Sequence, residues 1–118
     1  MRHVRLAIVG GRDFSDYPYM QECLRKLQQE NTVLQVVSGG ARGADSLGER
    51  YADENGIPKH IFQAEWDKYG RSAGFRRNRD IVDACDMIAA FWDGRSRGTE
   101  NTIALARAAG KRVVIYNY

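Results

Sequence analysis

A chain of 118 residues can bury one hydrophobic core but not two, and 43% hydrophobic with 28% charged residues is the make-up of a soluble globular domain. No apolar run approaches the roughly 20 residues of a membrane-spanning helix, so no membrane partner is expected. The net charge of +3 is small for a long nucleic-acid track, but its make-up is uneven, with 14 arginines against 4 lysines. Arginine's planar fork suits bidentate binding of phosphate and carboxylate.

In chain order, strand and helix signals alternate. The run 3-HVRLAIVG-10 reads as a strand, expected to open a cytoplasmic protein because its apolar stretch is short for a secretory leader. Residues 16–31 carry apolar positions at helical spacing, with Asp16 or Ser15 able to cap and Pro18 in the first turn. A second strand, 33-VLQVVS-38, precedes a helix with Ala44, Leu47, Tyr51 and Ala52 on one face. Gly56 and Pro58 end that helix, and 59-KHIFQAE-65 reads as a third strand. A long loop, 66–75, leads into a helix over 76–85. The strand 86-DMIAAFW-92, the loop 93–98, a helix from Thr99 to Gly110 and a strand over 112–117 complete the series.

Five strands with intervening helices predict a single α/β domain over 1–118, a three-layer, doubly wound (Rossmann-like) fold with a five-stranded, mainly parallel sheet. Cys23 and Cys85 lie far apart and read as small core hydrophobes in a reducing compartment. His3 and His60 lack partners at ligand spacing, so neither a metal nor a cofactor is expected.

In such a sheet the loops after the strands share one edge, where ligands bind near the reversal of strand order. The loops expected there are 10-GGRDF-14, 38-SGGARGAD-45, the Arg76–Asn78 turn and 93-DGRSRGTEN-101. Three of them pair glycine with arginine. Glycine admits close backbone approach, a helix beginning just after it offers free N–H groups and a positive dipole end, and arginine adds full charge. Together these predict an anion site, taken to be for a nucleotide's phosphate, built from Gly10, Gly11, Arg12, Asp13, Ser38, Gly39, Gly40, Ala41, Arg42, Gly43, Asp45, Arg76, Arg77, Asn78, Gly98 and Thr99. Asp45 either caps the second helix, the favoured role, or faces the ligand. GGRDF is not G-x-G-x-x-G, and 39-GGARG-43 lacks the Lys-Ser/Thr of a P-loop, which argues against a dinucleotide cofactor or NTP hydrolysis. No Gly-x-Ser-x-Gly elbow is present, so Ser38 is expected to hydrogen-bond within its loop. Trp66, Tyr69 and Phe75, interleaved with Arg71, Arg76 and Arg77, either stack a base or pack their loop.

The strings 38-SGGARGAD-45, 75-FRRNR-79 and 96-SRGTENTIALARAAGKRV-113 resemble the SLOG superfamily, which includes DprA and the LONELY GUY (LOG) phosphoribohydrolases; GGRDF and the WDG at 92–94 look most like its YpsA-related branch. The resemblance implies a Rossmann-like fold with a nucleotide-derived ligand at the glycine-rich edge. DprA-like proteins, which bind single-stranded DNA, carry a loop and an Arg-Asn-Arg turn matched by Ser38–Asp45 and Arg77–Arg79. LOG enzymes carry an arginine matched by Arg77 and a Gly-Thr-x-Glu segment whose glutamate works with it. Gly98 and Thr99 match, but Asn101 holds the glutamate's place and Glu100 stands one residue early, turned about 100° along a helix. If the protein is an enzyme, Arg77 holds phosphate or sugar and Glu100, or one of the edge carboxylates Asp13, Asp45 and Asp93, carries the chemistry. Three functions follow: a nucleotide sensor or sequestering module, first; an N-glycoside hydrolase of a nucleoside monophosphate, second; a single-strand nucleic-acid binder, third. A homodimer is the other partner that relatives of this fold suggest.

Overall fold

The computed structural model describes residues 2–118. Five strands, β1 (Arg2–Gly10), β2 (Asn31–Ser38), β3 (Lys59–Ile61), β4 (Met87–Trp92) and β5 (Arg112–Asn117), form one parallel sheet in the order β3-β2-β1-β4-β5. Between them run α1 (Tyr17–Gln28), α2 (Ala44–Glu54), the one-turn α3 (Trp66–Tyr69) with a 3-10 turn at Gly70–Ser72, α4 (Ala73–Ala84) and α5 (Arg97–Ala108). This is the expected Rossmann-like α/β architecture.

The central strands are apolar on both faces because helices cover both. On β1, Leu6 and Ile8 pack with Met20, Cys23, Leu24 and Leu27 of α1 and with Ala44, Tyr51 and Ala52 of α2. Ala7 and Val9 point the other way, toward Ile81 and Val82 of α4 and Ile103 and Ala106 of α5. Both cysteines are buried and free. Each fully buried aliphatic side chain contributes about 1.5–3 kcal/mol, so Leu6, Ile8, Met20 and Leu24 anchor the α1 layer. The chain steps outward from β1 to β2 and β3, then crosses back to β4 and β5. The strand order therefore reverses between β1 and β4, where the connections leaving the two paired strands part to opposite faces of the sheet and leave a cleft.

Local chemistry sets the ends. Asp16 caps α1, its Oδ1 accepting from the Tyr19 N–H at 3.1 Å. The β4 strand begins one residue late because the Asp86 carboxylate turns aside to accept from the Arg5 backbone N–H at 2.8 Å and its guanidinium at 2.9 and 3.1 Å. These bonds hold Asp86 well below the usual carboxylate range, at about 2.

Other boundaries also differ from expectation. The third strand ends at Ile61 instead of residue 65, since its partner β2 stops at Ser38, opposite Ile61, where the glycine loop begins. The stretch 66–75 is not a loop: α3 and the 3-10 turn occupy it, and α4 starts at Ala73. Gly70, at φ 57°, breaks the two helices apart, while Gly74 sits inside α4. The last helix starts at Arg97, with Ser96 as its N-cap residue. No helix among the described residues is long and apolar enough to cross a membrane.

Candidate functional site

Most residues at the β1–β4 parting come from loops or helix starts, with Val9 from β1 and Ile81 and Thr102 from within α4 and α5. Gly10–Asp13 leave β1, Ala41 and Asp45 come from the β2–α2 junction, Arg77 and Asn78 from the first turns of α4, and Asp93, Ser96, Gly98 and Thr99 from the β4–α5 turn. They line a cavity of about 370 Å³.

The β1 and β2 loops are locked together. The Gly11 carbonyl accepts from the Phe14 and Ala44 N–H groups at 3.2 and 3.1 Å, and the Gly11 N–H donates to the Phe91 carbonyl at 3.1 Å. Gly43, at φ 76°, lets this contact form; a Cβ there would collide with the Gly11 carbonyl and the Arg12 backbone. Only glycine adopts that backbone at no steric cost.

Between Ser38 and Asp45 the loop is closed by its own side chains. Asp45 Oδ2 accepts from the Gly39 N–H at 3.2 Å and the Ala41 N–H at 3.4 Å. Ser38 Oγ accepts from the Gly40 N–H at 3.2 Å and donates to Glu49 Oε2 at 2.7 Å. Asp45 does not cap α2 as expected: the N-cap is Gly43, with no side-chain cap, and the carboxylate reaches back over the glycines. It occupies the position an external anion would take on these amides, so a phosphate resting on Gly39 and Ala41 would have to displace it. Burial pushes the Asp45 carboxyl up to about 6, against the opposing pull of the Arg77 charge and the two amides. Burial also lowers Arg77, whose Nη1 donates to the Gly39 carbonyl at 3.1 Å. The buried Arg77 Nε has no hydrogen-bond partner among the described residues.

The β4–α5 turn is open by comparison. Asp93 Oδ1 accepts from the Arg95 and Ser96 N–H groups at 2.8 and 2.9 Å, which hold its carboxyl low. Those bonds shape the turn but stop short of the helix. Ser96 makes no capping bond; its hydroxyl pairs with the Thr99 hydroxyl at 3.2 Å. Gly98 and Thr99, in the first turn of α5, line the cavity with the positive end of a 12-residue helix behind them. Asn78 steadies this end, its amide donating to the Gly98 carbonyl at 3.3 Å and to Asn101 Oδ1 at 3.0 Å.

The structure gathers Gly10, Gly11, Arg12, Asp13, Ala41, Asp45, Arg77, Asn78, Gly98 and Thr99 around the cavity. Gly39, Gly40 and Arg42 line a neighbouring cavity of about 280 Å³ with Gln63, Ala64 and Trp66, and Arg12, Ala41 and Arg77 line both. Ser38 is fully buried behind its loop, and Gly43 lies against the Gly11 carbonyl and the Arg12 backbone. Arg76 points elsewhere, its guanidinium 4.2 Å above the Tyr69 ring and its Nε on Ser72 Oγ at 3.2 Å. Glu100 is exposed and outside the lining, while Asn101, in the glutamate's place, is tied to Asn78. Ser96 and Thr102 join the cavity unforeseen; their signals were the N-cap position and the spacing of one helical turn from Thr99. Tyr118, outside the lining, holds Asp13 through its hydroxyl, which donates to Asp13 Oδ1 at 2.6 Å.

Residues 4–69, which hold the first three strands and the glycine loop, match the model of a family described as "YspA, cpYpsA-related SLOG family" (YAcAr). The chain belongs to that family. The "Gene 61 protein" of Mycobacterium phage D29 is similar, 34% identical over 117 residues that cover 93% of this chain and 94% of the phage protein. No solved structure matches. Arg77 and the α5 turn lie beyond the stretch matched by the family model, so their roles rest on geometry.

Proposed function

We propose that this SLOG-family protein binds a nucleotide or nucleotide-derived phosphate at the β1–β4 parting, as a sensor or sequestering module. One observation carries the reading: the uncapped amino end of α5 faces Arg12 and Arg77 across a single cavity. Backbone N–H groups and guanidiniums converging on one space are the donor set for a phosphate. The Arg77 Nε adds a donor that lacks a partner. The carboxylates of Asp13 and Asp93 on the same wall suit hydroxyl groups of a sugar, since an ionised carboxylate only accepts.

Thermal unfolding with nucleoside mono- and diphosphates, cyclic dinucleotides and ribose 5-phosphate tests the reading. At least one should raise Tm in a concentration-dependent way. Arg12→Ala should weaken that ligand about tenfold, the worth of one charge-assisted contact, and Arg76→Ala should leave it unchanged. A panel that stabilises nothing removes the proposal.

Hydrolysis of an N-glycosidic bond is the second reading, favoured by Asp45, whose carboxyl at about 6 lies near the working range of a general acid or base. Glu100 has no place in it. Release of free base from a nucleoside monophosphate, lost in Asp45→Asn and kept in Glu100→Gln, would establish it.

A further inference from the structure

The neighbouring cavity differs in chemistry from the first. Trp66, 50% exposed, and Gln63 are both among its lining residues. The other aromatic–cation pairs of this region are already made: Tyr69 carries both the Arg76 guanidinium, at 4.2 Å, and the Lys68 ammonium, at 5.0 Å. Among the described residues no ring or cation stacks on Trp66. A large aromatic face left uncovered, in a recess also lined by three arginines, is a platform for a flat ring attached to an anion.

We propose that Trp66 is the base platform of the ligand, so that the protein takes nucleotides in preference to sugar phosphates. The inference rests on the phosphate site proposed above and extends it through Arg12, Ala41 and Arg77, which line both cavities. The phosphate sits at the amino end of α5, the sugar crosses the seam between Arg12 and Arg77, and the base lies on the Trp66 indole. The Gln63 amide, both donor and acceptor, stands where it can meet the base's hydrogen-bonding edge. Purines, with the larger face, bind more tightly than pyrimidines.

Calorimetric titration of the wild type, Trp66→Ala and Trp66→Phe with adenosine monophosphate, uridine monophosphate and ribose 5-phosphate tests this. Wild type should prefer the adenine nucleotide over ribose 5-phosphate by about tenfold or more. Trp66→Ala should abolish the preference while leaving ribose 5-phosphate affinity intact, and Trp66→Phe should restore most of it. A preference that survives Trp66→Ala, or equal wild-type affinities for nucleotide and sugar phosphate, overturns the base platform and leaves the phosphate site standing. Failure of all three probes to bind the wild type overturns the base platform, and the phosphate site falls with it only if the whole panel above stabilises nothing.

Discussion

The loops after β2 and after β4 look alike as sequence, each pairing glycines with arginine just before a helix, yet they finish in opposite states. In the first, Asp45 and Ser38 take up the N–H groups of Gly39, Gly40 and Ala41. In the second, Asp93 satisfies only Arg95 and Ser96, and the helix behind them starts without a side-chain cap. The glycines serve different ends accordingly. After β2 they let one loop nest against another and wrap an internal carboxylate; after β4, Gly98 sits in the uncapped first turn of α5 at the cavity wall. Composition marks a place where an anion can sit, and only the destination of each N–H tells whether the protein has supplied that anion itself.

Removing the internal anion should break the contrast most sharply. Asp45→Ala leaves two amides without their acceptor and the Arg77 charge without its nearby carboxylate, and should cost about 2 kcal/mol or more in urea unfolding. Sulfate or phosphate should recover part of that loss, because the β2 loop would then resemble the β4 loop and accept an external anion. The same carboxyl gives a pH signature. Its folded value of about 6 lies above its ordinary 3.8, so the folded chain binds the extra proton. The stability from this group is fully present below pH 3.8 and is lost as pH rises through about 6. Urea midpoints should therefore fall across that window in the wild type, and Asp45→Asn should lack that component.

Next in size, Gly43→Ala should destabilise by about 1–3 kcal/mol, read in the same unfolding assay, from positive φ and from the collision with the β1 loop. Gly98→Ala, which has open space around it, should change stability far less. The smallest effect is expected away from both loops. Asp86→Asn should lower Tm slightly at neutral pH, since its partner Arg5 is solvent-exposed. Because Arg5 lowers the Asp86 carboxyl to about 2, the stability from this pair is present above the ordinary 3.8 and is lost as pH falls through about 2. The variant's Tm should merge with the wild type's there.

Much of the fold was legible because its signals are local. The β1, β2 and β4 runs are apolar on both faces, and α1 carries Met20, Cys23, Leu24 and Leu27 on one stripe. The end of β3 was not legible, since it is set by where β2 stops, and Gly70 and Gly74 imitated a loop where α3 and α4 meet. The site divides in the same way. Strand order alone brings the right loops together, but the bond from Asp45 to Gly39 and Ala41, and that from Arg77 to Gly39 across 38 residues, depend on tertiary placement. The same is true of Arg76, which its α4 position turns onto Tyr69 and away from the neighbouring Arg77.

Since Asp45 and Gly43 have fixed the β2 loop in advance, nothing there has to be ordered when a guest arrives. A floppy loop of this length would subtract roughly 1–2 kcal/mol per immobilised residue from affinity. Here that loss was incurred at folding, so capture should proceed as a single diffusive encounter without a slow closing phase, and amide exchange in residues 39–43 should be as slow in the empty protein as in the occupied one.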